Sequence, residues 1–210
     1  MAVTSKDSAE LTGGDLTREK IIAAAAKAFA EHGFSGATLR EIGEAAGTHF
    51  QLIRHHFGSK EQLWETVVGE LSRRSQDAGL HHEQAISALA PRDQLRAQVR
   101  ALVAHQIENP ELNMILMRES MKGSARYRKV YDLHVRRFAT LAETFLGRMQ
   151  REGVIRDDIP LEDLVMVFRG ALDYRLLARV ESELYTGKKH SSPEVIEQHA
   201  DALAKLLLKD

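Results

Sequence analysis

The stretch TLREIGEAAGTHFQLIRHHFGSK, Thr38 to Lys60, constrains this chain more than any other. Thr38 and Glu41 fit a capping box, a hydroxyl followed three residues later by a carboxylate. Leu39, Ile42 and Ala46 repeat at helical spacing along one face. Gly47 follows where that helix should end, because a positive φ costs glycine little. Thr48 with Gln51 is expected to open a second box, and Ser59 with Gln62 a third, just ahead of Leu63 and Trp64. Between the last two boxes, Leu52, Ile53 and Phe57 supply apolar contacts while Gln51, Arg54 and His55 face outward. Two short helices joined by a tight turn, with another helix starting at once, is the build of a helix-turn-helix.

Upstream, the pattern predicts a first helix from about Thr17 to His32. Leu16 and Ile21 stand at the positions of a hydrophobic staple around its start. Ile22, Ala26 and Phe29 form its inner face, and Gly33 ends it. The three helices together are expected to share one small core.

These residues carry a resemblance. Residues 17–64 are similar to the N-terminal domain of the TetR family of bacterial transcriptional repressors. The matching segments are REKIIAAAAKAFAEHGFSGATLREIGEAAG and LIRHHFGSKEQL. The motif includes the whole first helix, the Gly47 turn and the HHFGSK entry to the fourth helix. The resemblance covers about a quarter of the chain as motif, and the rest as helix layout.

The remaining sequence agrees with that layout. A chain of 210 residues can bury a sizeable core. It has no cysteine, which leaves no disulfide, thiolate metal site or thiol switch. No apolar run approaches the length of a membrane span, and no signal core opens the chain. A cytoplasmic protein without membrane contact is expected. Net charge is −1, so DNA affinity has to come from where cations sit and from two copies acting together. From Thr38 to Lys60, Arg40, Arg54 and Lys60 stand against Glu41 and Glu44, and His49, His55 and His56 add potential charge.

Beyond Ser59 the periodicity is helical throughout. Helices are expected over about 60–78, 92–108, 111–121, 125–152, 161–185 and 193–208, which gives about nine in all. The fold class is all-α, with a flexible tail (1–15), a helix-turn-helix DNA-binding domain (16–64) and a helical regulatory and dimerisation domain (65–210). The 161–185 helix carries Leu161, Leu164, Val165, Phe168, Leu172 and Leu176 on one side, and Val167, Ala171 and Ala178 on another, with Gly170 open to close approach. The last helix shows Val195, Ile196, His199, Leu203, Leu206 and Leu207. That is more apolar surface than docking on the chain's own body requires. In the resembled family the last two helices of each subunit pair in a homodimer. The expected interface is Leu164, Phe168, Ala171, Arg175, Ile196, His199 and Leu203.

The resemblance also implies DNA contacts. Arg40 reaches a base or nearby phosphate, and Phe50, Gln51 and Arg54 hold base-reading positions. His55 and His56 hold backbone or base positions, and Thr38 and Lys60 anchor phosphate. The chemistry suits a double-stranded operator: Arg pairs bidentately with guanine, Gln with adenine, and an aromatic edge meets a thymine methyl. Two uses stay open for Gln51, the Thr48 cap or a base, and two for Phe50, packing or a base. Thr48 and His49 also belong to the candidate surface. They depart from the family's usual valine and small hydroxyl or amide residue, so no operator sequence is implied.

In the resembled family a small molecule binds among helices 4 to 8. An apolar or amphipathic effector is expected here, against Leu102, His105, Met114, Met117, Arg118, Tyr127, Phe138, Leu141, Phe145, Phe168 and Asp173. Ile107, Glu119 and Tyr174 are further candidates. The alternative is a ligand-independent reader or interaction module with a packed body. No catalysis, cofactor or metal is expected. The sequence has no HExxH, Gly-rich phosphate loop or nucleophile elbow. His81, His82 and Glu83 are neighbours on a helix, where successive side chains point about 100° apart.

Overall fold

The computed structural model describes residues 13–209. Among these the chain forms eleven α-helices, one π-helical turn and no β-strand; Ile155 and Leu208 make an isolated antiparallel bridge. The chain divides into two compact units, Met1–Val67 and Val68–Asp210.

The first unit holds α1 (Gly13–Gly36), α2 (Leu39–Ala45), α3 (Phe50–Phe57) and the start of α4 (Lys60–Ile86). Its core is apolar: Ile21, Ile22, Ala25, Phe29, Ile42, Ile53, Leu63, Trp64 and Val67 are all buried. Phe34 links two of them, stacked on Phe29 at 6.2 Å and meeting the Trp64 edge at 6.5 Å. Two details differ from expectation. α1 begins at Gly13, so Gly13 to Asp15 are helical, and the rest of the expected tail lies outside the described residues. Leu16 consequently sits inside the helix and is exposed, and no staple forms around Thr17, whose hydroxyl donates to the Gly13 carbonyl. At the other end, Gly33 does break the helix, with φ 69° and ψ 174°, and one further turn follows it.

The second unit continues α4 and adds α5 (Pro91–Glu108), α6 (Pro110–Lys122), α7 (Ala125–Val130), α8 (Arg136–Arg151), α9 (Leu161–Leu177), α10 (Arg179–Thr186) and α11 (Pro193–Leu207). Pro91, Pro110 and Pro193 each start a helix, where the missing N–H has no intrahelical partner to lose. Leu95, Val99 and Val103 of α5 pack with Leu146 and Met149 of α8, Leu164 of α9, and Leu203 and Leu207 of α11 in one cluster. The chain end is tied down: Arg156 N–H donates to the Leu207 carbonyl at 2.9 Å, and the Lys209 amine pairs with Asp157 at 2.8 Å.

Three boundaries in this unit differ from the sequence pattern. α4 runs on through Gly79 and the His81–Glu83 stretch to Ile86, whose burial anchors its last turn. The expected 125–152 helix is interrupted by a π turn at Tyr131–Val135. Val130 and Val135, five apart, are both buried, and an i→i+5 turn brings such positions toward one face. The expected 161–185 helix breaks at Ala178 (φ −97°, ψ 31°), with no glycine or proline to mark it.

Candidate nucleic-acid interface

The local chemistry of residues 38–60 builds a fixed platform. The Thr38 box is complete: Glu41 N–H donates to the Thr38 hydroxyl at 3.2 Å, and Thr38 N–H donates to the Glu41 carboxylate at 3.1 Å. The Thr38 hydroxyl, donating to the Glu41 carboxylate, and after it the Thr38 N–H hold that carboxyl below its ordinary range. The Ser59–Gln62 box is complete as well, with bonds of 3.0 and 3.1 Å. The expected Thr48–Gln51 box does not form. Gly47, at φ +67°, closes α2 in a Schellman turn: Thr48 N–H donates to the Gly43 carbonyl at 2.8 Å and Gly47 N–H to Glu44 at 3.2 Å. His49 rather than Thr48 is therefore the N-cap of α3, and its side chain makes no capping bond. Gln51 is spared that role.

Gly43 is a position the sequence pattern did not single out. It is buried in α2, and a Cβ there would lie 2.9 Å from the Thr48 carbonyl oxygen and 3.2 Å from the Phe50 amide nitrogen. Both neighbours are backbone, so α2 and the start of α3 touch without an intervening side chain. A glycine inside an otherwise good helix four residues before its terminal glycine was the available signal. In a free helix interior, Gly→Ala gains about 1 kcal/mol. Here Gly43→Ala is expected to lose about 1–3 kcal/mol through overpacking, read as a lowered melting temperature; a raised one would contradict the close approach.

On this platform α3 buries Ile53 and Phe57 and turns Gln51, Leu52, Arg54 and His55 outward. Arg54 and Gln51 have no side-chain partner among the described residues. The other candidates are engaged. Arg40 pairs with Glu44 at 3.0 Å, both exposed, a bond worth at most about 1 kcal/mol and readily exchanged. The Lys60 ammonium lies 4.7 Å over the Phe34 ring, which gives a first-turn lysine a partner within the chain. The Thr38 hydroxyl also donates to Glu41, at 2.7 Å. Phe50 is half-buried against the His49 ring at 4.8 Å, and His55 and His56 meet at 5.6 Å.

In the helical body, the expected pocket residues differ in burial. Leu102, Arg118 and Leu141 are exposed. His105, Met114, Met117, Tyr127, Phe138, Phe145 and Phe168 are half-buried. The His105 ring shares a hydrogen bond of 2.8 Å with Ser75, and burial holds its pKa down. Asp173 is buried and takes the Gln106 amide. Glu119, also buried, accepts from Ser124 at 2.8 Å and faces Arg126 at 3.5 Å. A crevice opens elsewhere, among α5, α9, the His190 segment and α11.

Of the expected dimer face, two residues are buried within the chain and five are half-buried. Leu164 and Leu203 are each 3% exposed and pack in the chain's own core, with Phe168, Ala171 and Ile196 against them. Arg175 and His199 line the crevice. The more apolar stripe of α9 is thus consumed inside the unit. The outward stripe is Met166, Val167, Gly170, Tyr174 and Leu177, continued by Val180, Leu184 and Tyr185 of α10 and by Leu206 of α11.

Burial pushes His199 down to about 4, with Arg175 and His190 adding to the effect. An unfolded histidine titrates near 6.5. Below that pH the unfolded chain takes a proton that the folded chain refuses until about 4, so stability falls as pH drops through this window. His105 and His190 are shifted the same way. Urea midpoints between pH 7.5 and 4.5 should decline, and His199→Gln should flatten the decline; an unchanged slope would contradict His199's part in it.

Comparison with known proteins agrees with this architecture. Residues 21–67 match the model of bacterial regulatory proteins of the tetR family, and residues 91–206 match the tetracyclin repressor-like C-terminal domain. The chain is 28% identical over 160 residues to the HTH-type transcriptional repressor NicS of Pseudomonas putida, covering 74% of each. It is 28% identical over 162 residues to the repressor AcnR of Corynebacterium diphtheriae, covering 75% of this chain and 78% of that one. Among solved structures, an HlyIIR mutant with one segment substituted by a linker superposes with a TM-score of 0.73 at 21% identity, covering 94% of this chain and 98% of that one. AibR, in complex with isovaleryl coenzyme A and operator DNA, gives 0.71 at 20%, covering 91% and 98%. These neighbours share the fold. With both of its units matched, the chain belongs to the TetR family of bacterial regulatory proteins.

Proposed function

We propose that the protein is a cytoplasmic transcriptional repressor that binds a palindromic operator as a homodimer and is released by a small molecule. The observation that carries this reading is the outer face of α3, where Gln51 and Arg54 stand exposed, without side-chain partners among the described residues, on a helix fixed by Ile53 and Phe57. In this reading Arg54 and Gln51 read base edges, and Phe50 meets a thymine methyl. Arg40, Thr38, Thr48, His49, His55, His56 and Lys60 position the helix on phosphates. Arg40 and Thr38 leave Glu44 and Glu41 to do so, exchanges of low cost at an exposed site.

A net charge of −1 supports a two-copy reader, because one copy brings few cations to the duplex. The self-association face is the outward stripe of α9 and α10 together with Leu206. Tyr185 is 90% and Leu184 82% exposed there, more apolar surface than scattered surface residues would give. Val167→Asp combined with Leu177→Asp should yield a monomer by sedimentation and cut duplex affinity at least tenfold. A dimer that persists and binds unchanged would sink the assignment.

AibR supports the effector, since a protein of this fold binds an acyl coenzyme A as well as operator DNA. Such a ligand acts only through different affinity for the DNA-bound and free states. A second reading, a reader without an effector, is favoured by the size of the crevice among α5, α9 and α11, which holds about one water. A thermal-shift screen separates the two, because a ligand selective for the folded state raises the melting temperature.

A further inference from the structure

Three histidines lie on the segment that carries the reading helix: His49 is its N-cap, and His55 and His56 stand in its last turn. His49 and His55 are exposed and His56 is half-buried. His55 follows Gln51 by four residues, on the side of α3 opposite the buried Ile53 and Phe57. The His49 ring lies 4.8 Å from the Phe50 ring, and the His55 and His56 rings are 5.6 Å apart. None of the three makes an ion pair or a side-chain hydrogen bond among the described residues.

The fixed charges around these rings are largely committed. On α2, Arg40 pairs with Glu44 at 3.0 Å and Glu41 serves the Thr38 box. On α1, the Arg18 guanidinium lies 5.6 Å over the Phe57 ring, which neighbours the His56 ring at 6.1 Å. At the start of α4, Lys60 sits over Phe34 and Glu61 is engaged within the chain. On α3 itself the charged neighbour is Arg54. None of these carboxylates is bonded to one of the three imidazoles. From Thr38 to Lys60, three cations against two carboxylates leave +1, and three imidazolium charges would make it +4. An imidazole changes charge between about pH 5 and 8, and an anion close by favours its charged form. The first unit brings these rings cations and spent carboxylates; a duplex brings them phosphates.

We propose that the protein takes up protons when it binds duplex DNA, on His49, His55 and His56 held against phosphates, so that its affinity for DNA rises as the pH falls. The inference rests on the DNA-binding reading of α3. Its sign follows from reciprocity: if phosphates raise the proton affinity of these rings, protons raise the affinity for phosphates by the same factor. Each imidazolium set against a phosphate also displaces a further counterion, so the salt dependence steepens in acid. His105, His190 and His199 of the second unit do not share in this, because burial holds them toward the neutral form.

The test is binding of the full-length protein to a short duplex of random sequence, by fluorescence anisotropy at pH 6, 7 and 8 and constant low ionic strength, with folding checked by circular dichroism at each pH. Calorimetry at pH 7 in two buffers of different ionisation enthalpy counts the protons taken up. Affinity should rise at least tenfold from pH 8 to pH 6, with net proton uptake and a salt slope steeper by about one counterion per proton. His49→Gln, His55→Gln and His56→Gln together should cut that pH dependence to less than twofold. If the triple variant fails to fold, His49→Gln with His55→Gln, both at exposed positions, should cut it to less than fivefold. The readout is the slope with pH, which a merely structural loss of affinity leaves in place. Binding with no slope and no proton uptake would overturn the inference and leave the DNA-binding reading standing. A slope that survives the substitutions would place the protons outside α3 and overturn it as well. No duplex binding at any pH would overturn both.

Discussion

Trp64→Ala is expected to cost about 3–5 kcal/mol, the usual range for emptying a buried tryptophan site. Trp64 is fully buried at the start of α4. Its ring meets the face of Phe34, which stacks on Phe29 of α1 and carries the Lys60 ammonium above it. Removing the indole therefore opens a cavity at the junction of α1 and α4 and loosens the ring stack beside it. Domains of this size hold about 5–15 kcal/mol in total, so the helix-turn-helix unit should lie close to unfolding at 37 °C. The chain has one tryptophan, so the wild-type fluorescence transition reports on this unit alone, while circular dichroism reports on all helices. The variant should show an early, partial helical transition and weakened duplex binding. A melting profile shifted by less than 2 °C would mean that Trp64 is not the keystone its burial implies.

Arg54→Ala should weaken binding to a selected operator by about 1–3 kcal/mol per half-site, roughly 5- to 150-fold, while binding to random duplex changes little. The asymmetry follows from geometry. Arg54 stands exposed on α3 with no side-chain partner among the described residues, so its guanidinium reaches a base edge without breaking a bond to them. Lys60→Ala is the contrast. A phosphate anchor should weaken all duplexes alike and lower the salt slope by about one counterion. Equal loss on specific and random DNA for Arg54→Ala would remove it from base reading.

How much of this was legible in the sequence depends on the range of the forces involved. The Thr38 and Ser59 boxes and the Gly47 turn were legible because each depends on residues within a turn of one another. The Thr48 box failed for a reason just as local: the Schellman turn at Gly47 engages the Thr48 amide and hands the N-cap to His49. The start of α1 at Gly13 was hidden by two glycines that read as tail.

Features set by tertiary packing left weaker traces. The π turn at Tyr131–Val135 and the break at Ala178 have no local marker. On α9 the pattern revealed two apolar stripes and not which one the chain keeps for itself. Packing against α5, α8 and α11 decides that, burying the Leu164 side and leaving Met166, Val167 and Tyr174 outward. The crevice at Arg175, His190 and His199 joins residues from three elements and could not be read from spacing.

The central claim, that α3 reads a palindrome in two copies, is tested most directly by selecting binding sites from a random duplex pool at a stated salt concentration. The account predicts an enriched inverted repeat whose half-sites are related by two-fold symmetry. It also predicts that the enrichment collapses with Arg54→Ala. Protein that is folded and ligand-free, yet enriches no sequence or only a single unrepeated half-site, would contradict it.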